Sequence, residues 1–351
     1  MGTVTASGAG RLRVARVVRE THDAVSVEFE VPAELVERFR FEPGQFLTLR
    51  IPTPDGGWAA RCYSLCSAPG DGPPTITVKR VAGGLASNWI CETLGPGDEI
   101  EVLPPAGLFV PRAGQRDLLL FAGGSGITPI MSILRARLAA PGGSAVLVYA
   151  NSDERSVIFA GELRRLAAEH PDRLLVLHLL DSVQGLPTAE LLASLCRPFR
   201  AADVAMLCGP APFMAVAGEA LARLGVPRER VVTEKFRSLE SDPFTEPGSA
   251  TDAETVPAGR EAATVTVELD GERRTLPWPA QTPLLDLLRG NGLDAPFSCR
   301  EGACSACACR LVAGEVKMLR NEVLEEEDLA EGYLLACQAV PVTEHVEVTY
   351  D

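Results

Sequence analysis

The 351-residue sequence has no run of about 18 apolar residues, so no membrane-spanning helix is expected. Its opening, "MGTVTASGAGRLRV", lacks the long apolar segment of a secretory signal, and the expectation is a cytoplasmic, reducing setting. Histidine is scarce, with four in all, and the two-His pattern of a Rieske iron–sulfur centre is missing. No internal repeat is visible. Basic excess is missing too: the net charge is −14, and residues 240–351 carry 8 Lys and Arg against 22 Asp and Glu. The preceding 239 residues balance at 25 of each. Phosphates would be repelled by the acidic part, which argues against nucleic acid as a partner. A partner with a basic face is permitted, and so is simple solubility.

What is present divides into two or three domains' worth of chain. Over residues 11–113, runs such as "AVSVEFEVP", "GQFLTLRIP" and "TITVKRV" alternate with turn signals, as in an antiparallel barrel or sandwich. Over 114–237, apolar strands ("DLLLFA", "SAVLVYA", "VAMLCG") alternate with helical stretches, the signature of an α/β parallel sheet. Residues 238–262 are rich in Pro, Gly, Ser, Thr and acids and read as a linker. Residues 263–351 read as a small α+β domain. It opens with a hairpin turning at Asp270-Gly271, then a helix with Thr282 as N-cap and Pro283 in its first turn.

The last domain holds "FSCREGACSACACRLV". Cys299-x4-Cys304-x2-Cys307, with Cys337 far downstream, is the spacing of a plant-type 2Fe–2S cluster. Thiolates are soft donors that suit iron, and small residues between them let backbone N–H groups reach the sulfurs. A structural zinc site is the competing reading, although zinc more often takes two C-x2-C units. Cys309 reads as an inward strand residue, with ligation in place of one of the four left open. Cys62, Cys66, Cys91 and Cys196 show no paired spacing and read as core.

Two upstream stretches suit nucleotides. "LLLFAGGSGITPIMSIL" runs from a strand into Gly123-Gly124-Ser125-Gly126 and a helix opening at Thr128-Pro129, where backbone N–H groups could meet a pyrophosphate. It departs from G-x-G-x-x-G at Pro129, and a plain βα turn is the bland alternative. Cys208 ends another strand, where ligands of such sheets bind. Asp153 and Glu154 would repel a 2′-phosphate, favouring NADH over NADPH, while Arg155 pulls the other way. In the first domain, Arg61 of "RCYSLCS" can bond a phosphate, with Tyr63 offering a ring face and Ser64 a hydroxyl. Gly83-Gly84 with Ser87 reads as a glycine turn capping a helix.

Taken in order, R-x-Y-S, G-G-x-x-S, G-G-S-G-I-T-P and C-G-P resemble the ferredoxin–NADP reductase superfamily. The appended plant-type ferredoxin domain resembles the reductase components of multicomponent oxygenases. The chain as a whole is also similar to those of bacterial 3-ketosteroid 9α-hydroxylases. The resemblance implies an FAD barrel, an NADH domain and a β-grasp 2Fe–2S domain, with FMN in place of FAD left open. Arg61 would contact the pyrophosphate, and Tyr63 and Ser64 the isoalloxazine, Ser64 near N5 with Val78 and Lys79 nearby. Gly84 and Ser87 would hold the pyrophosphate from the helix end. Gly124, Gly126 and Thr128 would bind NADH, Cys208 would sit beside the nicotinamide, and Glu234 and Phe236 would close over the flavin. Ser305 departs from the Gly often found beside the ligands. The implied activity is NADH-dependent delivery of single electrons to a Rieske-type oxygenase. Service to a phenylacetyl-CoA or fatty-acyl system, or an iron–sulfur redox sensor, are the alternatives.

Overall fold

In the structure, a computed structural model, residues 8–239, 242–244 and 263–350 are described. The first sheet contains β1 (Gly10–Arg19), β2 (Ala24–Glu30), β3 (Phe46–Pro52), β4 (Trp58–Ser64), β5 (Thr75–Lys79) and β6 (Glu99–Ala106). Their order is β4-β3-β6-β1-β2-β5, all neighbours are antiparallel, and a Leu65–Ile76 bridge brings the two edges together into a barrel. Period-two alternation makes β3 two-faced. Leu47, Leu49 and Ile51 fill the barrel, while Phe46 faces a different core. Helix α1 (Leu85–Glu92) follows β5, with Gly84 as its N-cap.

The second sheet is parallel, in the order β11-β10-β7-β8-β9. Its strands are β7 (Leu118–Gly123), β8 (Ala145–Asn151), β9 (Leu174–Leu180), β10 (Val204–Cys208) and β11 (Val231–Glu234). The crossover helices are α2 (Ile127–Ala139), α3 (Ala160–Glu169), α4 (Asp181–Gln184), α5 (Ala189–Cys196) and α6 (Ala211–Arg223). β7 and β8 are buried along their whole length, as covering on both faces demands. The strand order reverses between β7 and β10, so a ligand crevice is expected at their carboxyl ends.

The third unit starts with β12 (Ala263–Leu269) and β13 (Glu272–Trp278). Both turn residues, Asp270 and Gly271, have positive φ, as a two-residue hairpin needs. Helix α7 (Leu284–Gly290) starts one residue later than the sequence suggests: its N-cap is Pro283, and no side chain caps it. Thr282 instead offers its carbonyl to the indole N–H of the buried Trp278, at 2.7 Å. After the cysteine loop come β14 (Ala308–Ala313), β15 (Val316–Met318), α8 (Glu326–Ala330), β16 (Tyr333–Leu335), β17 (Ala339–Pro341) and β18 (His345–Thr349). The sheet order is β13-β12-β18-β14-β16, with β12 and β18 parallel, a β-grasp arrangement.

The barrel and the third unit share one core. Phe46, Ala60, Leu103 and Ala106 pack in the same cluster as Trp278, Leu285 and the four cluster cysteines. Leu239 and Phe244, from the stretch read as a linker, are buried in it too. The rest of that stretch, apart from residues 238 and 242–243, lies outside the described residues. Arg50 fastens this seam. Its guanidinium pairs with Glu101 at 2.9 Å and Asp242 at 2.8 Å and stacks over Trp58 and Phe244. Hydrogen bonds of this charged kind contribute about 1.5–3 kcal/mol each where water is scarce. Among the described residues no helix is long and apolar enough to cross a membrane.

Candidate redox site

The cysteine loop wraps as its composition suggests. Cys299, Cys304, Cys307 and Cys337 are all buried. Glu301 N–H donates to the Cys299 sulfur at 3.4 Å, Cys299 N–H to Cys304 at 3.5 Å, and Cys337 N–H to Cys307 at 3.5 Å. Gln338 Nε2 reaches the Cys337 sulfur at 3.6 Å. The four thiols are neighbours: Cys299 meets both Cys304 and Cys337, and Cys337 also meets Cys307. Sharing hydrogens with Cys304 and Cys337 pushes the Cys299 thiol down, and its partners Cys304 and Cys337 are pushed up. Among the described residues, no three Cys, His, Asp or Glu side chains gather as they would round one metal ion. Four adjoining buried sulfurs with N–H donors suit a 2Fe–2S core held by four thiolates. Cys309 lies in β14, buried, and burial pushes its thiol up. The inward strand placement read from the sequence holds.

One cleft adjoins the loop, and a second lies beside the first, with Phe236 lining both. The smaller, about 250 Å³, is lined by Cys62 and Ser64 of β4, Ala303, Cys304 and Ser305 of the loop, and Glu234 and Phe236. It therefore brings the strand carrying R-x-Y-S against the cysteine loop. Along β4 the side chains alternate: Tyr63 packs on the barrel core and Cys62 on the core shared with the third unit. Arg61 donates from Nη1 to the Ala60 and Leu239 carbonyls, at 2.7 and 2.9 Å, so one edge of its guanidinium is tied to backbone. Val78 turns its side chain into the barrel core, leaving main chain as the part a ligand could meet. Lys79 stands 3.6 Å from Asp23. Gly84 is needed at its turn, because a Cβ there would lie 2.7 Å from the Ser87 hydroxyl. That hydroxyl accepts the Val81 N–H at 3.1 Å and keeps its own hydrogen to donate.

The larger cleft, about 1020 Å³, lies at the switch point of the parallel sheet. Its lining includes Lys79, Gly124, Ser125, Gly209, Pro210 and Phe236. Gly124 has φ +52°, and the only atom a Cβ there would approach is the Lys79 amine, at 4.0 Å. Gly126 differs. A Cβ there would lie 2.1 Å from the Cys208 carbonyl oxygen, so this glycine serves the packing of α2 against β10. Thr128 is buried and donates to the Ser125 carbonyl at 3.1 Å, holding the turn. Cys208 is fully buried beneath the cleft, paired in register with Glu234. Burial and the nearby Glu234 raise its thiol well above the ordinary range. Glu234 lines the smaller cleft, and loss of water pushes its carboxyl up to about 8. Phe236 is half exposed between the two clefts.

Cys62, read as core in the sequence, packs partly buried against the core shared by the barrel and the third unit. Cys62 sits at the seam between barrel and cysteine loop, within 3.6 Å of the Ser298 hydroxyl. Burial pushes its thiol up to about 12, so it stays protonated. Neither Thr48 nor Ser298 is singled out in the sequence, and only the folded chain brings them to this seam. Asp153 caps the turn after β8, its carboxylate accepting the Ser156 N–H.

Comparison with known proteins agrees with this layout. Residues 11–110 match the oxidoreductase FAD-binding domain family, 120–219 the oxidoreductase NAD-binding domain family, and 267–342 the 2Fe-2S iron-sulfur cluster binding domain family. The chain is 50% identical to the ferredoxin reductase component of 3-ketosteroid-9-alpha-monooxygenase from Rhodococcus rhodochrous, over 97% of this chain and 96% of that protein. It is 36% identical to a component chain of the 1,2-phenylacetyl-CoA epoxidase from Escherichia coli, over 97% of each. Among solved structures it resembles phthalate dioxygenase reductase, with a TM-score of 0.58 and 26% identity over 97% of this chain and 98% of that one.

Proposed function

Because the chain belongs to the family of oxygenase reductase components built from FAD-binding, NAD-binding and 2Fe–2S domains, we propose that it carries electrons from NADH to a Rieske-type oxygenase that hydroxylates a 3-ketosteroid at C9. One observation carries the electron path. Ser64 of the R-x-Y-S strand, Cys304 of the cysteine loop and Glu234 after the nucleotide sheet line a single cleft. FAD, when bound, accepts a hydride from NADH and releases electrons singly, and the cluster passes single electrons onward. The chain's own residues then have three tasks. Arg61, Gly84 and Ser87 hold the flavin phosphates, with Tyr63, Ser64, Lys79 and the Val78 main chain round the ring. Gly124 opens the switch-point cleft to the dinucleotide, while Gly126, Thr128 and Cys208 shape its floor. Glu234 and Phe236 keep water from the ring face, and Glu234 is largely protonated at neutral pH. Cys299, Cys304, Cys307 and Cys337 ligate the irons.

The steroid reading rests on the gap between 50% and 36% identity to the two relatives. We assign residues 11–113, 114–237 and 263–351 to the three domains, and the cytoplasm as their setting. The test is reconstitution with candidate oxygenases and NADH. Hydroxylation of a 3-ketosteroid is expected. Turnover only with an acyl-CoA oxygenase would overturn the substrate, and absent NADH oxidation with ferricyanide would overturn the electron path.

A further inference from the structure

The cysteine loop is tied to the flavin barrel at two points that flank its first two ligands. Ser298, directly before Cys299, shares a 2.6 Å hydrogen bond with Thr48 of β3, and both residues are fully buried. Ser305, directly after Cys304, accepts the N–H of Leu108 just beyond β6, at 3.2 Å. Cys62 completes the first contact, 3.4 Å from the Thr48 hydroxyl and 3.6 Å from that of Ser298. Thr48 and Cys62 are register partners in the β3–β4 ladder. Cys62 is next to Tyr63 and two residues from Ser64, both read as flavin contacts.

We propose that Ser298, with Thr48 and Cys62 beneath it, and Ser305, on the Leu108 N–H, are positioning residues that clamp the cluster loop to the flavin strand and so set the rate at which electrons cross from FAD to the 2Fe–2S cluster. This rests on the electron path proposed above. The step served is balanced: NADH supplies an electron pair, each crossing moves one electron from reduced FAD to the oxidised cluster, and the oxygenase takes it before the second follows. None of these side chains is a ligand. Their effect is through distance, since electron transfer between fixed centres falls steeply with separation.

Chemistry favours the seam over simple packing. Thr48 and Ser298 are each 1% exposed, and a hydroxyl buried so deeply without a partner costs about 1–3 kcal/mol. Two hydroxyls that satisfy each other fix both strand and loop in one register, which methyl groups of the same size would not. The two clamps are unequal. Ser298 is sealed, whereas Ser305 and Leu108 meet water.

The test uses the holoprotein. Stopped-flow mixing with NADH separates flavin reduction from the later cluster reduction, and cluster loading, cluster midpoint potential and hydrogen exchange over residues 297–309 are read on the same preparations. Ser298→Ala is expected to slow the FAD-to-cluster step about tenfold, as misplacement by a fraction of an ångström can. Ser305→Gly is expected to slow it about twofold, in line with its exposed bond. Flavin reduction and midpoint potential should be unchanged, loop exchange should quicken, and Ser298→Thr should restore the rate. A parent-like FAD-to-cluster rate in fully loaded Ser298→Ala overturns the proposal. If Ser298→Ala loses iron, Thr48→Val breaks the same contact from the barrel, and a parent-like rate there overturns it equally. Failure of NADH to reduce the parent's flavin would instead sink the functional reading beneath it.

Discussion

The cysteine loop and the Gly123–Gly126 turn are both rich in small residues, yet their backbones serve different ends. In the loop, main-chain N–H groups of Cys299 and Glu301 turn toward sulfur on either side of the long Arg300, and Gly302 is small because a Cβ there would lie 2.7 Å from the Arg320 carbonyl oxygen. In the turn, the Gly124 carbonyl is taken by the Tyr149 hydroxyl at 3.2 Å, and Gly126 is pressed against the Cys208 carbonyl. The loop is organised round a group it will hold, the turn mostly round its own packing, with Gly124 the residue left open. A glycine therefore marks a close approach, and only the structure says whether a ligand or the protein makes it.

Substitutions sharpen the contrast. Cys299→Ala has the largest expected effect. Reduction of an external one-electron protein should fall to background while NADH still reduces the flavin in stopped flow, because the loop's role is confined to the cluster. Electron delivery persisting in that variant would break the comparison from the loop side. Gly126→Ala comes next and should act on folding: backbone cannot yield to a contact of 2.1 Å, so a loss of about 3–5 kcal/mol in denaturant unfolding is expected. Gly124→Ala should act on the ligand instead, costing about 1–2 kcal/mol for the left-handed backbone and raising KM for NADH more than it lowers kcat. If the two glycine variants gave the same stability loss and the same KM, the distinction would be gone.

Glu234 gives a smaller, pH-dependent effect. Its folded value of about 8 stands above the ordinary 4.5, so the folded state is disfavoured progressively as pH rises between those values. Glu234→Gln should match the parent in Tm near pH 4 and exceed it at pH 9. A constant difference across that range would contradict the raised value. Salt should have the least effect. Glu322, Glu325 and Glu327 of the third unit already pair with Arg237, Lys235 and Arg228 beside the larger cleft. Part of the acidic excess is thus engaged within the chain, and raising ionic strength should weaken oxygenase coupling only a few-fold, measured as the slope of coupled turnover against salt.

The sequence made some of this legible and hid the rest for physical reasons. The cysteine spacing could be read because three ligands sit on one loop and local spacing fixes their chemistry. The strand-to-turn motifs could be read because βαβ units are local in the chain. The Thr48–Ser298 contact could not, since its partners are 250 residues apart and neither is one of the cysteines whose spacing could be read. Cys62 looked like an ordinary core thiol because the seam it occupies exists only after two domains dock. Thr282 looked like a helix cap, but its carbonyl was claimed by Trp278. The roles of Gly126 and Thr128 were obscured in the same way, because sequence shows small and polar residues without showing what they touch.

One measurement bears most directly on the flavin and the cluster forming a single path. The intact protein, loaded with FAD and iron, is mixed anaerobically with one equivalent of NADH and followed at the flavin band and by the electron paramagnetic resonance of the reduced cluster. Bleaching of the flavin followed by a rhombic 2Fe–2S signal is expected, with the same NADH bleaching the flavin but raising no such signal in Cys299→Ala. A parent whose flavin is reduced while its intact cluster stays silent would contradict the path.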